Sequence, residues 1–282
     1  LQEIQSSMGE GSHYGIFTEQ SRFQVSRKVQ IASDLRAAID NDEFYLVHQP
    51  QIEITTNEVI GCEVLLRWQH KKLGSIPPKD FIVIAEETGS INKITQWVFI
   101  KACEHKQQLN DNGFYNQKIS INISCKDVLS DQFSTFLIST LEHFKLNAQD
   151  FTFELSESTV INDRNNFSEH LTAIRNLGFN LAIDDFGTGY SSLTYVSKYP
   201  FNQIKIDKGF ILSITESDVD ETIVSSTISM AKCLGIKVIA EGIEKKETGL
   251  VLASLDCDIV QGFYYSKPMI LTNYIKWMNQ RD

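Results

Sequence analysis

Residues 44–68 read FYLVHQPQIEI (44–54), TTNE (55–58) and VIGCEVLLRW (59–68). Both long runs are rich in apolar, β-branched and aromatic residues and read as strands. Only Thr55, Thr56, Asn57 and Glu58 join them. A parallel crossover needs a dozen or more residues, so this pair must be antiparallel. Six further strand-like runs follow: KISINIS (118–124), FTFELS (151–156), NLAIDDF (180–186), NQIKID (202–207), IKVIAEG (236–242) and DIVQGF (258–263). Amphipathic stretches of helix length lie at 91–110, 126–144, 163–177, 217–234 and 244–255. Gly113, Gly178 and Gly235 stop helices just before a strand, and Leu177-Gly178-Phe179 and Leu234-Gly235-Ile236 read as one joint used twice. Eight strands alternating with helices predict an α/β fold, a (β/α)8 TIM-like barrel with one antiparallel strand. An open doubly wound sheet is the alternative, but it would leave strand edges that eight such runs do not need. Upstream, Phe23, Val25, Val29, Leu35, Ala38 and Ile39 predict a lead-in helix over 19–40. The barrel is then expected over 41–282, and the aperiodic residues 1–18 as a linker or tail.

The chain has 282 residues, 42% hydrophobic and 22% charged, which excludes a disordered or fibrous protein. A net charge of −10 argues against DNA or RNA, whose backbones require clustered cations. It leaves room for a small anionic substrate if metal ions supply positive charge. The cysteines are odd in number (Cys62, Cys103, Cys125, Cys233 and Cys257) and none forms a CxxC pair, so reduced thiols in the cytoplasm are expected rather than disulfides or a zinc ribbon. No apolar run approaches the ~20 residues of a membrane span, and the first residues do not form a signal peptide, so no membrane contact is expected from this segment. The absence of an initiator Met predicts a piece of a longer chain, with a regulatory domain upstream.

Each strand-like run ends in polar chemistry: Glu63, Asn122, Glu154, Asp184 with Asp185, Lys205 with Asp207, Glu241 and Gln261. In a barrel these positions meet on the C-terminal rim, where active sites form. Carboxylates crowded there repel, and burying each costs several kcal/mol unless it is paired. Divalent cations resolve the conflict. The donors are oxygens, with no HxH or HExxH motif, so Mg²⁺ or Mn²⁺ is expected. Adjacent Asp184 and Asp185 suit two ions about 3.5–4 Å apart, an arrangement that hydrolyses phosphate esters. FGTGYSS (186–192) lacks the third glycine of a dinucleotide fingerprint and reads as a loop that reports metal occupancy. Arg67 is a candidate phosphate clamp. The six histidines fall in no ligand spacing.

Taken together, HQP (48–50), GCEVLLRW (61–68), Ile76-Pro77, FIVIAEETG (81–89), NIS (122–124), FELSES (153–158), AIDDFGTGYSSL (182–193), IKID (204–207), VIAEGIE (238–244), QGF (261–263) and Pro268 resemble the EAL-domain family of cyclic di-GMP phosphodiesterases. The resemblance runs from about Leu35 to Pro268. It implies a barrel with one antiparallel strand and cleavage of cyclic di-GMP to linear pGpG. It also implies that Glu63, Asn122, Glu154 and Asp184 hold one metal and that Asp184 and Asp185 hold the second. Lys205 is implied to orient the attacking water, and Glu241 to act at the metal site as general base. Gln49, Leu66, Arg67, Asp207 and Gln261 are expected on the substrate side, Gln261 also as a water-holding amide. Glu157 and Glu244 are implied to brace the loop containing Gly187 and Gly189, and a homodimer is implied. A catalytically silent cyclic di-GMP receptor is the alternative. Three positions depart from the family pattern: Val64 for Ala, His48 for Tyr and Ser156 for Thr. Strand alternation turns Val64 and His48 away from Glu63 and Gln49, so no proposed ligand is lost.

Overall fold

The four-residue link at 55–58 folds as a tight hairpin. The computed structural model describes residues 19–158, 166–189, 196 and 198–281. In it β1 (Phe44–Glu53) runs antiparallel to β2 (Val59–His70), with Gln49 directly opposite Glu63. Asn57 takes the left-handed conformation at φ 59°, which asparagine tolerates, and Thr56 donates to Glu53 across the turn. β3 (Gly74–Ile76) is a short extension paired to the end of β2. From β2 the sheet continues in parallel through β4 (Lys118–Asn122), β5 (Phe151–Ser156), β6 (Asn180–Phe186), β7 (Gln203–Ile206), β8 (Lys237–Glu241) and β9 (Ile259–Gln261). β9 pairs antiparallel with β1 and closes the barrel. Eight strands thus form a TIM-like α/β barrel in which β1 alone is reversed. The open-sheet alternative is excluded because no barrel strand is left with a free edge.

The helices are α1 (Glu19–Ala38), α2 (Pro78–Thr88), α3 (Ile91–Asp111), α4 (Cys125–Val128), α5 (Phe133–Phe144), α6 (Phe167–Asn176), α7 (Lys208–Ser213), α8 (Asp218–Cys233), α9 (Lys246–Ser254) and α10 (Leu271–Met278). The stretch expected as one helix at 126–144 is two, because Ser124 and Asp127 form a capping box that completes α4 as a single turn. β3, α2, α7 and α10 were not expected from the periodicity. β3, α7 and α10 are three, six and eight residues long, too short to display a clear period. α2 begins on Pro78 and ends at Gly89, signals that fit its ends better than its middle. The tail 1–18 and the loop residues Tyr190, Ser191 and Ser192 lie outside the described residues.

Alternation along each strand sorts the side chains. Ile119, Ile121, Phe151, Phe153, Leu181, Ile183, Ile204, Ile206, Val238, Ala240 and Val260 are all buried between barrel and helices. Phe153 stacks on Phe179 at 4.7 Å between ring centres, and Phe99 packs against both. The opposite faces turn inward, and their last members carry the polar groups. Cys62, Cys103 and Cys257 are buried, and burial pushes each thiol up to about 12, so they stay protonated and inert. Among the described residues no helix is long and apolar enough to cross a membrane.

Candidate active site

At the centre of the rim is an ammonium. Lys205, near the end of β7, is buried, and its Nζ lies 2.5 Å from Glu154 Oε2, 2.8 Å from Glu241 Oε1, 3.2 Å from Asp184 Oδ1 and 3.3 Å from Glu63 Oε2. These carboxylates come from β2, β5, β6 and β8, so barrel closure itself gathers them. Amides fix the ring from the side. Asn122 Nδ2 donates to Glu63 Oε1 at 2.8 Å, and Gln261 Nε2 donates to Glu63 Oε2 at 2.7 Å and to Gln49 Oε1 at 3.2 Å.

Glu63, Glu154 and Asp184 present oxygens within 4.8 Å of one another, and so do Asp184, Asp185 and Glu241. The two triads share Asp184. Simple alternation would send Asp184 and Asp185 to opposite faces. The strand avoids this with a register shift against β7 between Ile183 and Phe186 and with Asp185 in the left-handed region at φ 54°. Aspartate tolerates that conformation better than most residues, and the Asp185 N–H donates to Asp184 Oδ1 at 2.9 Å. Among the described residues the buried Glu154 Oε1 has no hydrogen-bond partner. An all-oxygen donor set with a buried, partnerless carboxylate oxygen fits hard divalent cations.

The charges couple strongly. Burial pushes Glu154 well above the usual carboxylate range, opposed by Lys205 and helped by Glu63 and Asp184. Burial lifts Glu241 to about 8, helped by Asp184 and Glu63 and opposed by Lys205. Burial would raise Glu63 as well, but Lys205, Gln261 and Asn122 outweigh it and hold Glu63 low. Desolvation, Asp184 and Asp207 push Asp185 up. Burial disfavours the Lys205 charge, yet Glu154, Glu241, Glu63 and Asp184 overcome it and hold the ammonium well above its usual range. The ring therefore keeps a proton near neutral pH while Lys205 stays charged.

Beside the ring is a cleft of about 400 Å³ bounded by Gln49, Arg67, Lys208, Leu212, Phe263 and Pro268. Arg67 is half-buried and donates to the Leu66 carbonyl at 2.9 Å. Leu66 does not line this cleft. It faces a neighbouring pocket of about 360 Å³ whose walls include Pro78, Ile82, Ile91 and Ile94. The glycine loop is held by Glu157, whose Oε2 accepts from Gly187 N at 2.9 Å and Gly189 N at 3.2 Å. Gly187 has φ 101°, and a Cβ there would lie 2.7 Å from Phe210 Cε2. Glu244 is exposed on the cleft wall and makes no hydrogen bond to Gly187, Thr188 or Gly189 among the described residues. Asp207 does not reach the cleft either: its Oδ1 accepts from Gly209 N at 2.8 Å and caps α7. A carboxylate one residue before a helix start is an N-cap signal. Lys208, Leu212 and Phe263 were not singled out from sequence. An aromatic just after QG at a strand end was the available clue for Phe263. Val64 and His48 are buried outside the barrel wall, away from the ring, as alternation requires. His48 Nε2 lies 3.1 Å from His105 Nδ1.

A family model described as the EAL domain matches residues 32–268. The bifunctional diguanylate cyclase/cyclic di-GMP phosphodiesterase MucR of Pseudomonas aeruginosa is 32% identical over 91% of this chain and 37% of its own. The cyclic di-GMP phosphodiesterase NbdA of the same organism is 32% identical over 90% of this chain and 33% of its own. The chain thus spans about a third of the length of these relatives. A solved structure of the MucR phosphodiesterase in complex with c-di-GMP superposes with a TM-score of 0.82, at 33% identity, over 87% of this chain and 99% of that one.

Proposed function

The chain belongs to the EAL domain family, and on that premise we propose that it hydrolyses one phosphodiester of cyclic di-GMP to linear pGpG with two ions of the Mg²⁺ or Mn²⁺ class. The observation that carries this is the pair of carboxylate triads sharing Asp184, set beside a cleft that Arg67 also lines. Glu63, Asn122, Glu154 and Asp184 would hold one ion, and Asp184, Asp185 and Glu241 the other. Bound there, the ions would activate water and stabilise the leaving oxygen.

The chain's own groups supply the rest. Arg67 grips a non-bridging phosphate pair through its planar fork. Lys205, anchored by its carboxylates, orients the attacking water. Glu241, beside Asp184 and Asp185, would accept the proton that water loses. Gln49 and Gln261, bonded to each other, position the sugar-phosphate edge. Phe263 and the apolar pocket behind Leu66 offer flat, dry surfaces to the purine bases. Glu157 sets the glycine loop, which ties occupancy of Asp185 to the loop's position. In this proposal residues 19–282 are the phosphodiesterase domain and 1–18 a linker to an upstream regulatory domain, and the protein works as a cytoplasmic homodimer.

Chromatography of cyclic di-GMP after incubation with Mn²⁺ tests the proposal, beside Glu63→Ala. The protein yields pGpG and the variant loses several orders of magnitude in rate. Tight binding of cyclic di-GMP without turnover would replace the enzyme by a silent receptor.

A further inference from the structure

The Lys205 ammonium has three N–H donors and four carboxylates within 3.3 Å. It is 1% exposed, so water does not share the task. Glu63 has both oxygens engaged, Oε1 by Asn122 and Oε2 by Gln261 and Lys205. A cation approaching Glu63 Oε2 competes with Lys205 for that oxygen. Formal charge closes the case. Counted as fully ionised, the form that binds metal, the five carboxylates of the two triads with Lys205 stand at −4, and two divalent ions bring the site to zero. A neutral residue at 205 would leave the ring at −5 when metal-free.

We propose that Lys205 is the built-in counter-ion of the site. It holds the carboxylate ring in its folded arrangement before metal loads, and it lowers the affinity for the first ion by occupying the same oxygens. This rests on the two-ion reading above and deepens it: the lysine sets both the stability of the metal-free site and the strength of its first metal contact. Removing one partner of a buried ion cluster leaves uncompensated charge, which destabilises more than losing a surface pair.

The test needs no substrate. Wild type, Lys205→Met and Lys205→Arg are melted in EDTA, and Mn²⁺ binding is followed by titration calorimetry. Lys205→Met should melt several degrees lower without metal. Its first Mn²⁺ should bind roughly tenfold more tightly, because the competing cation is gone. Its metal-induced rise in Tm should exceed that of wild type. Lys205→Arg keeps the charge and should stay near wild type in EDTA. A Met variant with unchanged Tm in EDTA, or with unchanged or weaker Mn²⁺ affinity, would overturn the counter-ion role. If the Met variant does not fold, Lys205→Arg decides: wild-type stability supports the proposal and a comparable loss defeats it. Failure of the wild type to bind Mn²⁺ would sink the two-ion reading by itself, while the EDTA melts still judge Lys205.

Discussion

Raising the pH should weaken the metal-free protein, and Glu241 contributes one part of the effect beside Glu154, whose carboxyl burial also pushes up. The Glu241 carboxyl titrates near 8 in the fold and near 4.5 in the open chain. Between those values the native state holds a proton that the unfolded state has released. Stability therefore falls as pH rises through the folded value. With these two pKa values, linkage gives a loss on the order of 1–2 kcal/mol between pH 6.5 and 8. The window is chosen for a reason. Burial drops His48 to about 3 and His105 to about 4, so their contribution is lost only as pH falls below their open-chain value of 6.5. The buried thiols matter only above their open-chain value of 9. Urea melts in EDTA at pH 6.5, 7, 7.5 and 8 read the slope directly, with Glu241→Gln as control. The variant cannot titrate at this position and should lose less over the window, by on the order of 1–2 kcal/mol. Saturating Mg²⁺ should flatten or reverse the wild-type slope, because metal binding competes with the proton. Parallel slopes for wild type and Glu241→Gln would refute the assignment of the raised carboxyl to Glu241.

Arg67→Ala should raise KM for cyclic di-GMP by roughly 10- to 100-fold, the worth of a charge-assisted phosphate contact; steady-state kinetics with unchanged KM would remove Arg67 from the substrate site. Gly187→Ala meets both a φ of 101° and Phe210 at 2.7 Å, and should cost about 1–3 kcal/mol locally. Turnover should fall at least several-fold while cyclic di-GMP binding survives, and wild-type turnover would show that the loop's position does not matter. Phe153→Ala empties a fully buried position stacked on Phe179 and should destabilise by about 3–5 kcal/mol in urea melts, whereas a loss below 1 kcal/mol would mean the wall can collapse around it.

What could be read in advance depended on whether the determinant was local. Four residues between two strand-like runs can only form a hairpin, so the reversed β1 was legible from a count. The acid ring was legible for a similar reason. Glu154, Lys205 and Glu241 each stand at or near a strand end, Glu63 faces them from within the longer β2, and closure of a barrel makes these positions neighbours. Short elements such as β3, α7 and α10 were not legible, because their order comes from packing rather than from period. Asp207 and Glu244 show that position near a rim does not by itself say what a side chain touches: one caps a helix and the other is exposed.

Asp185 is the most instructive residue. Two adjacent aspartates in a regular strand cannot face the same way, so alternation alone would have split the pair and left one of the two triads short of a ligand. The fold resolves this by ending regular pairing at that point, with a register shift against β7 and a left-handed residue that turns the second carboxylate back toward Asp184 and Glu241. The same turn starts the glycine loop, where Thr188 donates to the Asp185 carbonyl and Glu157 receives Gly187 and Gly189. A single backbone irregularity therefore builds the second proposed metal position and anchors the loop beside it. Any substitution at 185 that rejects positive φ should disturb both together, and the loop cannot shift without moving a proposed ligand.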